Sequence, residues 1–556
     1  MSNKRFIIFD SDALKNIHKR VFFSITIFLI FYSLIFIQIF NLMIFSNYFN
    51  KEQVILSKNP EDIEKRGKIY DRNGILLAST IESYSLFAHP KKIKKLTLLS
   101  NKLSKILNMS EENIKLKLMK DVNFVWIKRN ITPREHQEII NLGEIGLQTK
   151  PEKKRVYPYR EITSHIVGYS NIDGKAMSGI ERGLQEKLIL GHNVNMSIDV
   201  RIQDATRNEL IMNINKFSAE SGLAIVMKIN TGEILSLVNY PDFDPNYRDK
   251  LLTKYQFNHS TQGVFEMGST FKPITMAMGL DKNLIDLDML VDVSKPIKIG
   301  KYTINDHKPY DGKLSVKDII VVSSNIGAAK IAKKIGKDVQ LEYFKKLGFF
   351  EKINLEINET QKPLPPNHWK EIETMTIGYG HGFAITPLHL CQAYASMVNG
   401  GFKTTATLIK NNNHIKNNRV ISLETSNNIK RLLRSVILES KYTGPNAKID
   451  GYDLGGKTGT AEQLMDGSYS ENSNLASFIS VFPIKDPQYL VLAMVMNPKK
   501  IKETYFNNTG GWVAAPLVKN IIIRIINILG IPPAENLNKL KANNHINLPL
   551  ETNATL

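Results

Sequence analysis

Gly263-Val264-Phe265-Glu266-Met267-Gly268-Ser269-Thr270-Phe271-Lys272-Pro273 places one serine three residues ahead of a lysine, at the head of an apolar helical run. Positions i and i+3 lie on one helix face, so the Lys272 amine can reach the Ser269 hydroxyl. A serine hydroxyl is a weak nucleophile until a neighbouring base takes its proton. Lysine is such a base only when neutral, which requires burial and a second cation nearby to depress its pKa. Gly268 allows a tight turn into the helix. Pro273 costs little, because the first helical turn has no intrahelical N–H partner to lose. Alone, Ser-x-x-Lys describes many solvated helix faces. Here Ser269 is the only serine in the chain with lysine three positions on.

Two further elements stand downstream in order. Ser323-Ser324-Asn325 begins 54 residues after Ser269, and Lys457-Thr458-Gly459-Thr460 begins 134 residues after Ser323. Ser-x-Asn is weak by itself, since Ser426/Asn428 and Ser470/Asn472 also match, and Ser323 alone would be read as a helix cap. The Lys-Thr-Gly-Thr element alone would be a turn beside a strand. Lys457 is a candidate for the second cation that Lys272 needs, and equally for a partner to a substrate carboxylate. The three elements together, in this order, resemble the motif triplet of serine β-lactamases and penicillin-binding proteins, and the resemblance implies acyl transfer through a serine.

Around them the hydrophobic pattern is mixed. Gly222 to Ile229, a Thr231-Gly232 turn and Glu233 to Asn239 form an antiparallel hairpin. Helical patterns follow at Pro273 to Gly279, Val316 to Ile335 and Pro387 to Val398. Strands return at Lys457 to Gln463, Ala476 to Val481 and Tyr489 to Met496, before a closing helix from Ala514. The expectation is an α+β domain over residues 201–534, one antiparallel sheet packed by helices. Residues 46–200 read as a separate elongated domain with a hairpin at Asn73-Gly74 and helices at Leu96 to Leu107 and Ser110 to Met119. Residues 535–556 read as a flexible polar tail.

Val21 to Phe45 carries no charge. As a helix it rises roughly 37 Å, enough to cross a hydrocarbon core. Ser46-Asn47-Tyr48-Phe49 offers a poor cleavage site, so the segment is expected to stay as an anchor. Lys4, Arg5, Lys15, Lys19 and Arg20 precede it, which keeps residues 1–20 cytoplasmic and exports the rest. Ile521 to Leu529 is too short to span, is interrupted by Arg524, and reads as an amphipathic helix on a core. The net charge of +20 is spread along the chain with no nucleic-acid-binding motif, which argues against nucleic acid as partner. Cys391 is the sole cysteine, in a helical apolar run, and reads as a buried structural thiol. No metal-ligand pattern is present among the histidines, and neither a metal nor a cofactor is expected.

The stretch from Gly263 to Pro273 resembles the active-site signature of class B penicillin-binding proteins, with Met267 where that family usually carries proline. Arg66-Gly67-x-Ile69-Tyr70-Asp71-Arg72-Asn73-Gly74 resembles the family's first pedestal motif. Tyr157-Pro158 through Gly168-Tyr169, with Gly179-Ile180-Glu181-Arg182-Gly183, resembles the later one. Ile377-Gly378-Tyr379-Gly380, Thr386-Pro387, Asn399-Gly400-Gly401, Gly510-Gly511 and Ala514-Ala515-Pro516 match again in the second domain. The resemblance implies a penicillin-binding transpeptidase domain on a dimerisation-type pedestal.

It further implies that Ser269 attacks the penultimate D-Ala carbonyl of a stem peptide while Lys272 takes its proton. Ser323 would relay a proton to the leaving D-Ala, and Asn325 would hold the peptide amide. Backbone N–H groups of Ser269 and Thr460 would form the oxyanion hole. Lys457, Thr458, Gly459 and Thr460 would orient the substrate carboxylate or a β-lactam antibiotic. The segment Gly168 to Glu181 looks division-type, implying a single-pass inner-membrane enzyme with a periplasmic catalytic domain at the septum. A polytopic lipid-II polymerase and other division proteins would be its partners. An elongation-type enzyme and a non-catalytic scaffold of the division complex are the competing expectations. A β-lactamase would need neither anchor nor pedestal, and no glycosyltransferase signature precedes the serine.

Overall fold

The computed structural model describes residues 11–49, 66–247, 252–300, 302–411, 418–441, 444–465 and 468–534. The basic residues Lys4 and Arg5 and the tail 535–556 lie outside them. The chain divides into two compact units, Met1–Glu64 and Lys65–Leu556. In the first, a single helix α1 (Ser11–Phe49) runs past both ends of the uncharged segment. Its stretch Lys19–Phe40, 22 residues, is long and apolar enough to cross a membrane. Large side chains from Val21 to Phe40 are exposed along it, Phe22 and Phe36 most of all. An apolar surface of that extent is unusual in water.

The second unit opens with a five-stranded sheet. β1 (Ile69–Tyr70) pairs antiparallel with β2 (Leu76–Ala88), which also holds β3 (Val125–Ile131) and β4 (Leu147–Val156). β5 (Val194–Asn195) joins β1 in parallel. The turn between β1 and β2 is five residues long, not the two-residue Asn-Gly turn that residues 73 and 74 suggest. Asp71 organises it: its Oδ1 accepts the N–H groups of Asn73 and Ile75 at 2.7 and 2.8 Å. Helices α2 (Leu96–Leu107), α3 (Glu111–Leu118) and α4 (Pro133–Asn141) cover the sheet through Leu99, Leu103, Ile114 and Ile139, packed on Leu86, Ala88 and Ile127. α2 has the bounds its periodicity predicts, and Ser110 caps α3 by accepting the Asn113 N–H.

Three buried charges pin this region together. Arg66 and Arg155 both bond the Glu181 carboxylate, Arg155 at 2.7 Å, and none of the three side chains is more than 4% exposed. Arg155 also donates to the Gly67 carbonyl at 2.9 Å, and Arg66 to the Glu181 carbonyl at 3.1 Å. One carboxylate thus ties together the two separated motifs that begin at Arg66 and at Gly179.

The remaining sheet is antiparallel throughout, in the order β8 (Gly455–Met465), β9 (Ser468–Phe482), β10 (Tyr489–Met496), β6 (Ser221–Lys228), β7 (Ile234–Tyr240). Alternate residues of its strands feed two cores, Ile225, Leu492 and Met494 on one face, Val226, Val491 and Val495 on the other. Both faces are buried, which is why these strands read as unbroken apolar runs. α5 (Val200–Lys216) and α12 (Ala514–Leu529) cover one face with Ile202, Leu210, Ile521 and Ile525. Arg524, on the outer side of α12, pairs with Glu209 of α5. The other face carries a helical layer: α6 (Lys272–Asp281), α7 (Val316–Val322), α8 (Asn325–Ile335), α9 (Lys337–Leu347), α10 (Pro387–Val398) and α11 (Leu423–Glu439). Cys391 lies fully buried in α10, and burial pushes its thiol pKa up.

One expectation fails. The run Val316 to Ile335 is two helices, broken at Ser323, whose φ is 62°. Ser323 ends α7 in the left-handed conformation, and Ser324 caps α8 by accepting the Gly327 N–H at 2.9 Å. The cap falls on the second serine. The first is released from helical geometry.

Candidate active site

Ser269 sits in a single 3-10 turn, Gly268–Phe271, that runs directly into α6. The turn keeps positions i and i+3 on one side, and Pro273 falls in the first turn of α6, where it costs no hydrogen bond. Gly268 has φ +52, and a side chain there would meet the Thr460 carbonyl. The Gly268 N–H donates to the Gly380 carbonyl at 3.1 Å, and a Cβ on Gly380 would lie 2.0 Å from the Gly268 carbonyl oxygen. The serine turn is therefore clasped backbone to backbone by the Gly378–Gly380 segment. Thr270 is held from both sides: its hydroxyl donates to the Met267 carbonyl, and the Tyr394 hydroxyl donates to its own carbonyl at 2.6 Å.

Four groups converge on the Lys272 amine. Ser269 Oγ lies at 2.9 Å, the Ser323 carbonyl at 2.6 Å, Ser323 Oγ at 3.1 Å and Asn325 Oδ1 at 2.8 Å. The left-handed Ser323 is what turns both its carbonyl and its hydroxyl to this amine. A neutral amine has two N–H donors and one lone pair. Giving the donors to the Ser323 carbonyl and Asn325 leaves the lone pair for the Ser269 hydroxyl. Lys272 is fully buried, and burial first, then the positive charge of Lys457, holds its pKa well below the ordinary lysine range. Asp306 pulls in the opposite direction.

Lys457 enters from β8, where it pairs with Ile479 of β9. It is 1% exposed, and burial lowers its pKa to about 7. Its amine donates to Ser323 Oγ at 2.9 Å and to the Thr458 carbonyl at 3.1 Å. One hydroxyl thus bridges two lysines. Gly459 is packed against the Met267 carbonyl and Ser477, leaving no room for a side chain. Thr460 is exposed, and its hydroxyl accepts the Gly510 N–H at 3.1 Å. Ser269, Lys272, Ser323, Asn325 and Lys457 form one hydrogen-bonded cluster, with Thr458, Gly459 and Thr460 lining the strand beside it.

Two participants escape the sequence reading. Asp306 accepts bonds from Ser324, Asn325 and Ile326. Glu266 accepts the Gly382 N–H at 2.9 Å and lies 3.3 Å from His381, bracing the serine turn against the Gly378–Gly380 clasp. Glu266 belongs to the motif around Ser269 and could have been singled out. Asp306 lies in no pattern that periodicity reports. Among the described residues no group of three or more His, Cys, Asp or Glu is placed to hold a metal ion.

A serine hydroxyl with a buried amine beside it, and a second buried amine bridged through another serine, is an arrangement suited to acyl transfer through serine. Comparison with known proteins agrees with that chemistry. Residues 222–523 match the penicillin binding protein transpeptidase domain, and residues 63–193 match the penicillin-binding protein dimerisation domain. The chain belongs to the penicillin-binding protein transpeptidase family, in the class B arrangement of a dimerisation domain followed by a transpeptidase domain.

Among its relatives, the probable peptidoglycan D,D-transpeptidase FtsI of Caulobacter vibrioides is 31% identical over 480 residues, 84% of this chain and 82% of that protein. The probable peptidoglycan D,D-transpeptidase PenA of Neisseria gonorrhoeae is 30% identical over 506 residues, covering 85% and 86%. Stage V sporulation protein D of Bacillus subtilis is 30% identical over 528 residues, covering 86% and 81%. The crystal structure of a peptidoglycan synthetase from Bifidobacterium adolescentis shares the fold, with a TM-score of 0.66 at 20% identity, covering 84% of this chain and 96% of that one.

Proposed function

We propose that this chain is a membrane-anchored D,D-transpeptidase that cross-links peptidoglycan at the division septum and is a target of β-lactams. The observation that carries the reading is the fully buried Lys272 amine 2.9 Å from Ser269 Oγ, crowded by a second buried lysine. Relatives named as peptidoglycan D,D-transpeptidases, FtsI among them, support the substrate and the septal role.

In the first half-reaction Lys272 takes the Ser269 proton as Oγ bonds to the penultimate D-Ala carbonyl carbon. The amide to the terminal D-Ala breaks, and the proton returns from Lys272 through the Ser323 hydroxyl to the departing nitrogen. In the second, an amine of a neighbouring stem peptide attacks the ester carbonyl, its proton passes through Lys272 to Ser269 Oγ as the ester C–O bond breaks, and Ser269 is released as the alcohol with Lys272 neutral again. Backbone N–H groups of Ser269 and Thr460 take the developing oxyanion, each donor contributing about 3 kcal/mol. Asn325 holds the donor peptide's amide. Lys457 serves both as the cation that keeps Lys272 neutral and, with Thr458 and Thr460, as the receiver of the substrate carboxylate. The basic residues Lys15, Lys19 and Arg20 of α1 support a cytoplasmic N-terminus and a periplasmic catalytic unit. A polytopic lipid-II polymerase in the same membrane is the expected partner, engaged through residues 21–45 and the pedestal.

Fluorescent penicillin is expected to label the full-length protein and to leave Ser269→Ala unlabelled; equal labelling of both overturns the nucleophile assignment. A tagged copy is expected at midcell, with filaments on depletion. Side-wall localisation and rounded cells would instead assign it to elongation, and loss of labelling without loss of division would make it a scaffold.

A further inference from the structure

The whole Ser323-Ser324-Asn325 element hangs on a carboxylate outside it. Asp306 Oδ1 accepts the N–H groups of Asn325 and Ile326, the latter at 2.9 Å, and its Oδ2 accepts the Ser324 hydroxyl at 2.7 Å. The adjacent Asn305 carbonyl accepts Asn325 Nδ2 at 3.2 Å, while Asn325 Oδ1 faces Lys272. The first N–H groups of a helix have no intrahelical partner. In α8 two of these go to Asp306 and a third, that of Gly327, to Ser324. The carboxylate also sits at the positive end of the helix dipole, where negative charge is stabilised. Because Ser323 is a left-handed hinge between two helices, its orientation is set by whatever fixes the start of α8. Asp306 does the fixing.

We propose that Asp306 is a positioning residue for acyl transfer, which holds Ser323 and Asn325 against Lys272 and supplies the negative charge that balances the two-lysine cluster. The inference rests on the acyl-transfer reading above. The charged groups facing Lys272 are Lys457 from β8 and Asp306 from the loop after the short strand Tyr302–Ile304. Ser269, Ser323 and Asn325 are neutral, and His307 and Lys308 are exposed on the Asp306 loop itself.

The two roles separate by substitution. Asp306→Asn keeps an acceptor oxygen for the α8 N–H groups and removes the charge. Asp306→Ala removes both. The probe is the second-order rate at which penicillin acylates the full-length protein, followed across the acid limb of its pH profile. Acylation needs neutral Lys272, so the rate is lost as pH falls through the Lys272 pKa. Removing a nearby negative charge makes that amine easier to deprotonate. Asp306→Asn is therefore expected to move the acid limb to lower pH, by about one unit, with its plateau reduced only several-fold. Asp306→Ala is expected to lose roughly 100-fold at the plateau, because Ser323 and Asn325 are no longer held in reach. A merely structural residue would lower the amount of active protein without moving the limb.

The proposal is overturned if the Asp306→Asn profile superimposes on the wild type, if it moves to higher pH, or if Asp306→Ala acylates normally. Should Asp306→Ala give no cooperative melt, the Asp306→Asn profile decides alone. A wild-type protein that takes no label would sink the acyl-transfer reading itself, so the two failures are distinct.

Discussion

Two clusters of buried charge lie in the same compact unit and follow opposite rules. In the pedestal, Arg66 and Arg155 share one carboxylate, and further donors reach the Glu181 and Gly67 carbonyls and the Thr80 hydroxyl. In the candidate active site, Lys272 and Lys457 share only a serine hydroxyl; burial lowers the pKa of both, and the charge of Lys457 lowers that of Lys272 further. Opposite charges in hydrogen-bonded contact fasten distant segments. Like charges in a dry pocket cannot both persist, and the amine left neutral is suited to act as a base. The pedestal cluster is structural glue, whereas in the proposed mechanism the lysine cluster is a reagent.

The comparison breaks most visibly if each cluster is deprived of a member. Lys272→Ala is expected to reduce penicillin acylation roughly 1,000-fold or more, the scale of a lost general base, while the melting temperature holds or rises. Only an acylation rate near that of the wild type would show that another group is the base. Glu181→Ala should do the reverse. It takes the shared carboxylate from two buried guanidiniums, at a cost of about 3–5 kcal/mol of stability, with the surviving folded fraction still labelled by penicillin. Denaturant melts measure the first part and labelling per folded molecule the second; a loss under 1 kcal/mol would remove the triad's structural role.

The smallest expected effect is the sharpest. Lys457→Met deletes the second cation, so Lys272 protonates more easily and the acid limb of acylation moves to higher pH, by about one unit. The sign is opposite to that expected for Asp306→Asn. An unmoved limb in the Lys457 variant would mean that burial alone keeps Lys272 neutral, and Lys457 would retain only its substrate-binding role.

Much of this was legible beforehand because it is local. The strand Tyr489–Met496 and the helix Leu96–Leu107 have the bounds their patterns imply, since each is specified by a run of apolar or amphipathic residues. Ser269 and Lys272 are legible for the same reason, their contact being set by helical spacing. What escaped is decided at long range. The apolar pattern over Val316 to Ile335 is continuous, yet the chain breaks at Ser323 because Lys272, 51 residues earlier, binds its carbonyl, and Asp306 caps the helix that follows. The five-residue turn at Asp71 depends on one side chain satisfying two N–H groups, which the Asn-Gly pair outweighed on paper. Neither the shared hydroxyl of Ser323 nor the Glu181 hub leaves any trace in periodicity.

The lone thiol of Cys391 has a practical corollary. Sealed inside a helix and resistant to ionisation, it is a poor target for maleimide or iodoacetamide as long as the protein stays folded. A cysteine introduced at a fully accessible position such as Ile145, 81% exposed on the pedestal, would be the sole reactive address on the native molecule. A fluorophore or spin label could be attached there without first editing the natural chain.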